Sequence, residues 1–292
     1  MIRAIKRRVY QFSDAVKEFL LVLWLWLPLG FLTRHQRTVP VIASLTTYPP
    51  RIARSWLAIE TLLRQSVKPQ HLVLVLNTEE FPSKELPPRI HRQTKRGLEV
   101  LWVSRNGRSH DKLIPVRAAH PGETIVTFDD DKFFPRNLLN ELLTASERHP
   151  RHVVGARGWV IRKDEKGTEI HFGQGWARAT PGTTGSDLFT PGGNGCLYPP
   201  DSMNSMVDDL DAALSICPAA DDIWFWGAIQ KNNSPIVCLG MPPHRPVSLL
   251  KGGPALSSID PLEEDLQFQR ALNHYGIRDQ VLKVAQPAVT DG

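Results

Sequence analysis

Residues 125–137, IVTFDDDKFFPRN, run from β-forming apolar residues into three consecutive carboxylates and close on a proline. Like charges at Asp129, Asp130 and Asp131 repel, and near an interior each is costly unless it is paired or bound to a cation. A solvated acidic turn and a divalent-metal site both account for them. Hard cations such as Mg²⁺ or Mn²⁺ prefer carboxylate and water oxygens. Residues i and i+2 of an extended chain point to the same side, so Asp129 and Asp131 are expected to share one ion.

Working outward, the chain alternates between strand and helix patterns. Residues 39–48, 71–77, 98–104 and 123–131 are apolar and β-branched, and read as four buried strands. Between them, 51–66 places Ile52, Trp56, Ile59, Leu62 and Leu63 on one helical face, 111–119 reads as a short helix, and 137–149 as another. Continuous apolar strands alternating with helices predict an α/β fold with a mostly parallel sheet covered on both faces. Ligands of such sheets bind beyond the carboxyl ends of the strands, where the aspartates stand. After residue 150 the alternation weakens. Two strand-like stretches flank a polar turn at 163–167, TPGTTGSD and TPGGNGCLYPP read as loops, and helices are expected at 221–232 and in the tail from 260. The chain divides into an arm, 1–37, and a domain, 38–292, of which 38–150 is the ligand-binding half and 151–292 a second lobe.

The net charge of +5 is not spread evenly. Residues 1–37 hold seven Lys/Arg against Asp14 and Glu18, so the remainder is neutral. That argues against nucleic acid and for an anionic membrane surface. Ile2, Ile5, Val9, Phe12, Val16 and Leu20 form an apolar stripe on a basic helix, which leads into the uncharged FLLVLWLWLPLGFL at 19–32. Those residues reach about 21 Å as a helix, short of the roughly 30 Å hydrocarbon core, which favours a peripheral anchor. A single span and a helix packed on the domain are the alternatives. Cys196, Cys217 and Cys238 show no CxxC spacing, so neither a disulfide framework nor a zinc site is expected, and a reducing compartment is the default.

Three further constellations carry chemistry. In CPAADDIWFWGAI (217–229), Asp221 and Asp222 open an apolar helix, either as simple capping groups or as a general base for an acceptor hydroxyl. In TPGGNGCLYPP, the glycines around Gly193 and Asn194 permit close backbone approach to a ligand, or simply form a tight turn. Arg108 and Lys112, ahead of the aspartate strand, could face a diphosphate.

The ordered segments VIASLTTYPPRI, RSHDKLIPVRAAHPGETIVTFDDDKFFPRN, GGNGCLYPP and ADDIWFWGAIQKN resemble bacterial GT-A-fold glycosyltransferases. The similarity is to family-2-like enzymes of surface-polysaccharide and lipopolysaccharide assembly, and it covers roughly 39–285. It implies a nucleotide-sugar donor, a divalent metal (Mn²⁺ or Mg²⁺) on the aspartate motif, and a glycan or lipid-linked acceptor. It carries nucleotide contacts to Thr46, Thr47, Tyr48 and Arg51, diphosphate contacts to Lys112, and the base to Asp222 with Asp221 beside it. The absence of QxxRW implies a single transfer rather than a processive synthase. An enzymatically silent membrane-bound assembly factor and a metal-dependent nucleotidyl- or phosphotransferase are the competing readings. The expected location is the cytoplasmic face of a membrane.

Overall fold

The computed structural model describes residues 37–241, the backbone of 245–246, and residues 260–287. The basic and apolar arm read at 1–37 thus lies outside the described residues but for Arg37. Among the described residues no helix is long and apolar enough to cross a membrane.

The first half follows the alternation closely. β1 (Thr38–Thr46), α1 (Pro49–Leu63), β2 (Lys68–Asn77), α2 (Pro88–Thr94), β3 (Leu98–Val103), α3 (Ile114–Ala119) and β4 (Ile125–Phe128) succeed one another. The expected helix at 111–119 is divided: a 3₁₀ turn at Arg108–Lys112 precedes α3, because Pro115 is tolerated only in a helix's first turn. Pro49 and Pro50 likewise open α1. β1, β2, β3 and β4 are mutually parallel in the order β3-β2-β1-β4. The chain therefore leaves β1 towards β2 on one side and returns on the other side as β4. That reversal opens a crevice at the carboxyl ends of β1 and β4.

The second half completes the same sheet. After β5 (Lys132–Phe133) and α4 (Leu138–Arg148) come β6 (Val153–Gly155), β7 (Trp159–Val160), β8 (Ala177–Arg178), β9 (Thr184–Gly185), β10 (Leu188–Phe189) and β11 (Asn194–Tyr198). Then follow α5 (Leu210–Ile216), α6 (Asp221–Lys231), β12 (Ile236–Cys238), β13 (Arg245–Pro246), α7 (Pro261–Tyr275) and α8 (Arg278–Val284). The large sheet has eight strands in the order β3-β2-β1-β4-β11-β6-β12-β9. β11, whose sequence reads as loop, is instead an interior strand, antiparallel to both β4 and β6 and buried along its length. The stretch read as a strand around 168–179 keeps only β8.

Two apolar cores line the two faces. Val41, Ala43, Leu45, Val126 and Phe128 pack beneath α1, α2 and α4. Ile42, Val73, Val75 and Ile125 turn the other way, towards α3, α6, α7 and α8. This is the mainly parallel, helix-covered α/β architecture expected. The three cysteines are free and buried.

Candidate active site

β4 delivers the aspartates to the crevice, but its extended geometry ends at Phe128, and Asp130 and Asp131 lie in a turn. The i, i+2 alternation on which a shared ion was expected therefore does not apply. Asp129 turns towards two lysines: Lys112 Nζ donates to Oδ1 at 2.7 Å and Lys132 Nζ to Oδ2 at 2.5 Å. Asp130 and Asp131 turn towards α1. Thr47 Oγ1 donates to Asp130 Oδ2 at 2.5 Å, Arg51 lies 2.8 Å from Asp130 Oδ1 and 3.2 Å from Asp131 Oδ2, and Asp131 Oδ1 is buried without a hydrogen bond.

The other expected donor-side residues divide. Tyr48 is the N-cap residue of α1 and has the Arg51 guanidinium 5.7 Å above its ring, so it adjoins the cluster. Thr46 instead donates to the Val75 carbonyl within the sheet. Arg108 is exposed, sits at φ 54°, and donates to the Pro218 carbonyl ahead of α6, away from the aspartates.

The second acidic pair meets the first through Lys112. This buried ammonium lies 2.9 Å from Asp221 Oδ2, an ion pair out of line for a hydrogen bond. Burial opposes its charge, but Asp129, Asp221 and Asp222 outweigh burial and raise its proton affinity well above the ordinary lysine value. For Asp129 burial is likewise outweighed, by Lys112 and then Lys132, and the carboxyl stays far below the usual range. Asp222 differs. Burial, then Asp221, push its carboxyl up to about 7 against the weaker pull of Lys112. It opens α6 and is only half-buried, so it is reachable from the crevice. Burial also raises Asp130, more than Arg51 and Thr47 lower it.

A dipeptide joins the two halves. Asp129 N donates to the Gly193 carbonyl at 2.9 Å, Thr127 Oγ1 to the Gly192 carbonyl at 2.6 Å, and Gly192 N to Asp222 Oδ1 at 2.8 Å. A Cβ on Gly193 would lie 2.0 Å from the Asp129 carboxylate, so this glycine serves close approach to an aspartate of the site itself. Asn194 begins β11 opposite Phe128. Lys132 and Thr127 were not singled out from the sequence, and Gly192 was read only as one of a set of glycines permitting close backbone approach. Lys132 is signalled only by its place three residues after Asp129, and the others act across 65 and 30 residues.

Five carboxylates against three cations (Arg51, Lys112 and Lys132) leave negative charge in excess. The donor set is all oxygen, as a hard cation prefers. Among the described residues, however, no group of three metal-binding side chains converges. Both oxygens of Asp129 and both of Asp130 already have partners. The arrangement fits an ion shared with a ligand's phosphates and held by the protein through Asp131 Oδ1, since Mg²⁺ commonly takes one or two carboxylates and completes its shell elsewhere.

No family model and no curated protein matches the chain. Among solved structures it is similar to S. aureus TarS 1–349 in complex with UDP-GlcNAc, at 14% identity and TM-score 0.48, over 82% of this chain and 66% of that one. The same fragment with UDP gives 14% and 0.44, over 70% and 59%. The mannosyltransferase PcManGT from Pyrobaculum calidifontis, in complex with GDP-Man and Mn²⁺, gives 14% and 0.39, over 80% and 65%. The chain thus spans about three-fifths to two-thirds of these chains' lengths. Likenesses this distant assign no activity.

Proposed function

We propose that the protein is a GT-A-type glycosyltransferase that moves a sugar from a nucleoside-diphosphate sugar to a hydroxyl of a glycan or lipid-linked acceptor. The observation that carries this reading is Asp222: a reachable carboxyl poised at about 7, facing a cation-lined aspartate cluster at the reversal point of a parallel sheet. A general base is most effective when its pKa lies near the operating pH. Arg51 and Lys132, set among these carboxylates at a strand's carboxyl end, are donors a diphosphate leaving group could use once a divalent ion offsets the excess negative charge.

In this reading the nucleotide lies over the end of β1, against Thr47, Tyr48 and Arg51. Arg51 and Lys132, both partly accessible, turn towards the diphosphate oxygens. Asp131 stands on the metal side through its unpartnered Oδ1, and Mn²⁺ or Mg²⁺ held there would supply Lewis-acid neutralisation of the departing diphosphate. Asp222 accepts the acceptor's hydroxyl proton as that oxygen attacks the anomeric carbon opposite the leaving group, which inverts the centre. Asp221 and Lys112 position Asp222 and Asp129. One base and no processive motif make this a single transfer. The basic, apolar sequence of residues 1–37 suits work at a membrane surface, as in cell-surface polysaccharide synthesis.

The test is a panel of UDP-, GDP- and dTDP-sugars with the full chain, with and without Mn²⁺ or Mg²⁺, following nucleoside diphosphate release. At least one donor is expected to be hydrolysed slowly in a metal-stimulated way that Asp131→Asn abolishes. Release of pyrophosphate or a nucleoside monophosphate would replace glycosyl transfer with nucleotidyl or phosphoryl transfer. No binding or turnover with any donor would reject the enzyme altogether.

A further inference from the structure

β6 runs parallel to β12, and antiparallel β11 separates it from β4, so β6 ends at the same edge of the sheet as Asp129. Two strand spacings, about 10 Å, separate the two strands. The chain leaving β6 enters Arg157, Gly158 and Trp159. Arg157 and Trp159 are two residues apart, and the Arg157 guanidinium lies 4.7 Å from the Trp159 ring centroid. Trp159 and Arg178 are direct antiparallel partners, which places their side chains on one face. Two guanidiniums and an indole therefore share one half-buried to exposed surface.

Among the described residues no carboxylate pairs with Arg157 or Arg178, and Arg157 Nε is buried without a hydrogen-bond partner. Burial and the neighbouring Arg178 both act against the Arg157 charge. The sequence from 242 to 259, which follows the Met241 N to Ala156 O hydrogen bond, contains Arg245 and Lys251 and no Asp or Glu. Like charges brought together without a counterion are costly unless a ligand supplies one. The surface is also tied to the base: Thr190 Oγ1 donates to the Arg157 carbonyl at 2.9 Å, and two residues on Gly192 N donates to Asp222.

We propose that Arg157 and Arg178 form an acceptor subsite for a sugar bearing a phosphate or carboxylate, the anion bridging the two guanidiniums and Trp159, stacked against Arg157, holding the first of them in place. Guanidinium suits both oxyanions through paired N–H donors, and it stacks on an aromatic face while keeping those donors available. This rests on the glycosyltransferase reading for the word acceptor, but the binding itself is measurable without any transfer.

Glucose 1-phosphate, glucuronate and methyl glucoside are titrated calorimetrically against the full chain, and a nucleotide sugar is titrated alongside. The charged probes are expected to bind at least about tenfold more tightly than methyl glucoside, the worth of a charge-assisted hydrogen bond. The double variant Arg157→Gln/Arg178→Gln is expected to lose that preference, Arg157→Lys/Arg178→Lys to keep part of it, and Trp159→Leu to weaken the two charged probes while leaving methyl glucoside unchanged. Tighter glucose 1-phosphate marks a phosphate-linked acceptor, and tighter glucuronate an acidic glycan. Equal binding of charged and neutral probes would overturn the proposal. So would a loss of anion binding in Arg51→Gln rather than in the arginine double variant, or an equal loss of nucleotide-sugar binding in that double variant. Failure of nucleotide sugars to bind, with the anion preference intact, would count against the transferase reading alone.

Discussion

The two acidic clusters are built from the same residue type and meet through one lysine, yet Asp129 in one and Asp222 in the other move in opposite directions from the ordinary carboxylate. In the β4 cluster every carboxylate has a cation within 3.2 Å, and Asp129 has two. In the α6 pair, Lys112 reaches Asp221 and stops there, and Asp222 is left with a single backbone N–H. Lys112 and Lys132 accordingly hold the Asp129 carboxyl far below the usual range, while burial and Asp221 push that of Asp222 up to about 7. Burial raises both carboxyls, and the two ammonium groups that bond Asp129 directly are what reverse its direction, while Asp222 has none in contact.

The severest way to break this contrast is to remove the shared cation. Lys112→Met leaves Asp129 and Asp221 facing each other without it, and should cost about 4 kcal/mol, since unpairing a buried ion pair is far costlier than replacing it whole. For a domain of this size the melting temperature should fall by about 12 °C in thermal denaturation at pH 7. A fall under 2 °C would mean that the ammonium does not hold the clusters together. Next, Asp222→Asn should lower the transfer rate about 10³-fold with nucleotide-sugar affinity unchanged, the scale of a lost general base. The wild-type rate should climb with pH up to about 7 and then level, because the carboxyl must be ionised to accept a proton. A flat profile would remove Asp222 from the chemistry.

The gentlest probe is a third aspartate that has burial and no cation. Asp111 accepts from Gly107 N at 3.1 Å, and burial pushes its carboxyl to about 7. That value lies above the ordinary 3.8, so the folded chain retains the proton longer than the unfolded chain does. Stability from this group is complete below about 4 and drains away as pH rises towards about 7. Asp111→Asn keeps the acceptor and removes the charge. It should stabilise by about 2 kcal/mol at pH 8 and by almost nothing at pH 4, read as the difference between two melting curves.

The sequence disclosed the first half well because its long strands bury both faces and leave unbroken apolar runs. The second half was opaque for the converse reason. β7, β8, β9 and β10 are two residues long, too short for any period, and β11 spells NGCLY, a turn-like composition placed mid-sheet by its neighbours. In the site, Asp129–131, Asp221, Asp222 and Lys112 were readable as charged residues near strand or helix ends, and Arg51 only through the family resemblance. What was not readable was direction: which carboxylate turns to which cation depends on the turn at 130–131, and Arg108 faces Pro218 because of its left-handed backbone. Lys132 looked like a residue that merely ended the motif.

The Gly192–Gly193 dipeptide has a mechanical consequence. Asp222 accepts from Gly192 N and Asp129 N donates to the Gly193 carbonyl, so the two acidic clusters are tied to neighbouring Cα atoms about 3.8 Å apart across a trans peptide. A peptide plane is the stiffest unit the backbone possesses. Under the proposed function, a displacement of either glycine is expected to be felt at both acidic clusters, so the spacing that an acceptor hydroxyl would meet belongs to the backbone as much as to the side chains.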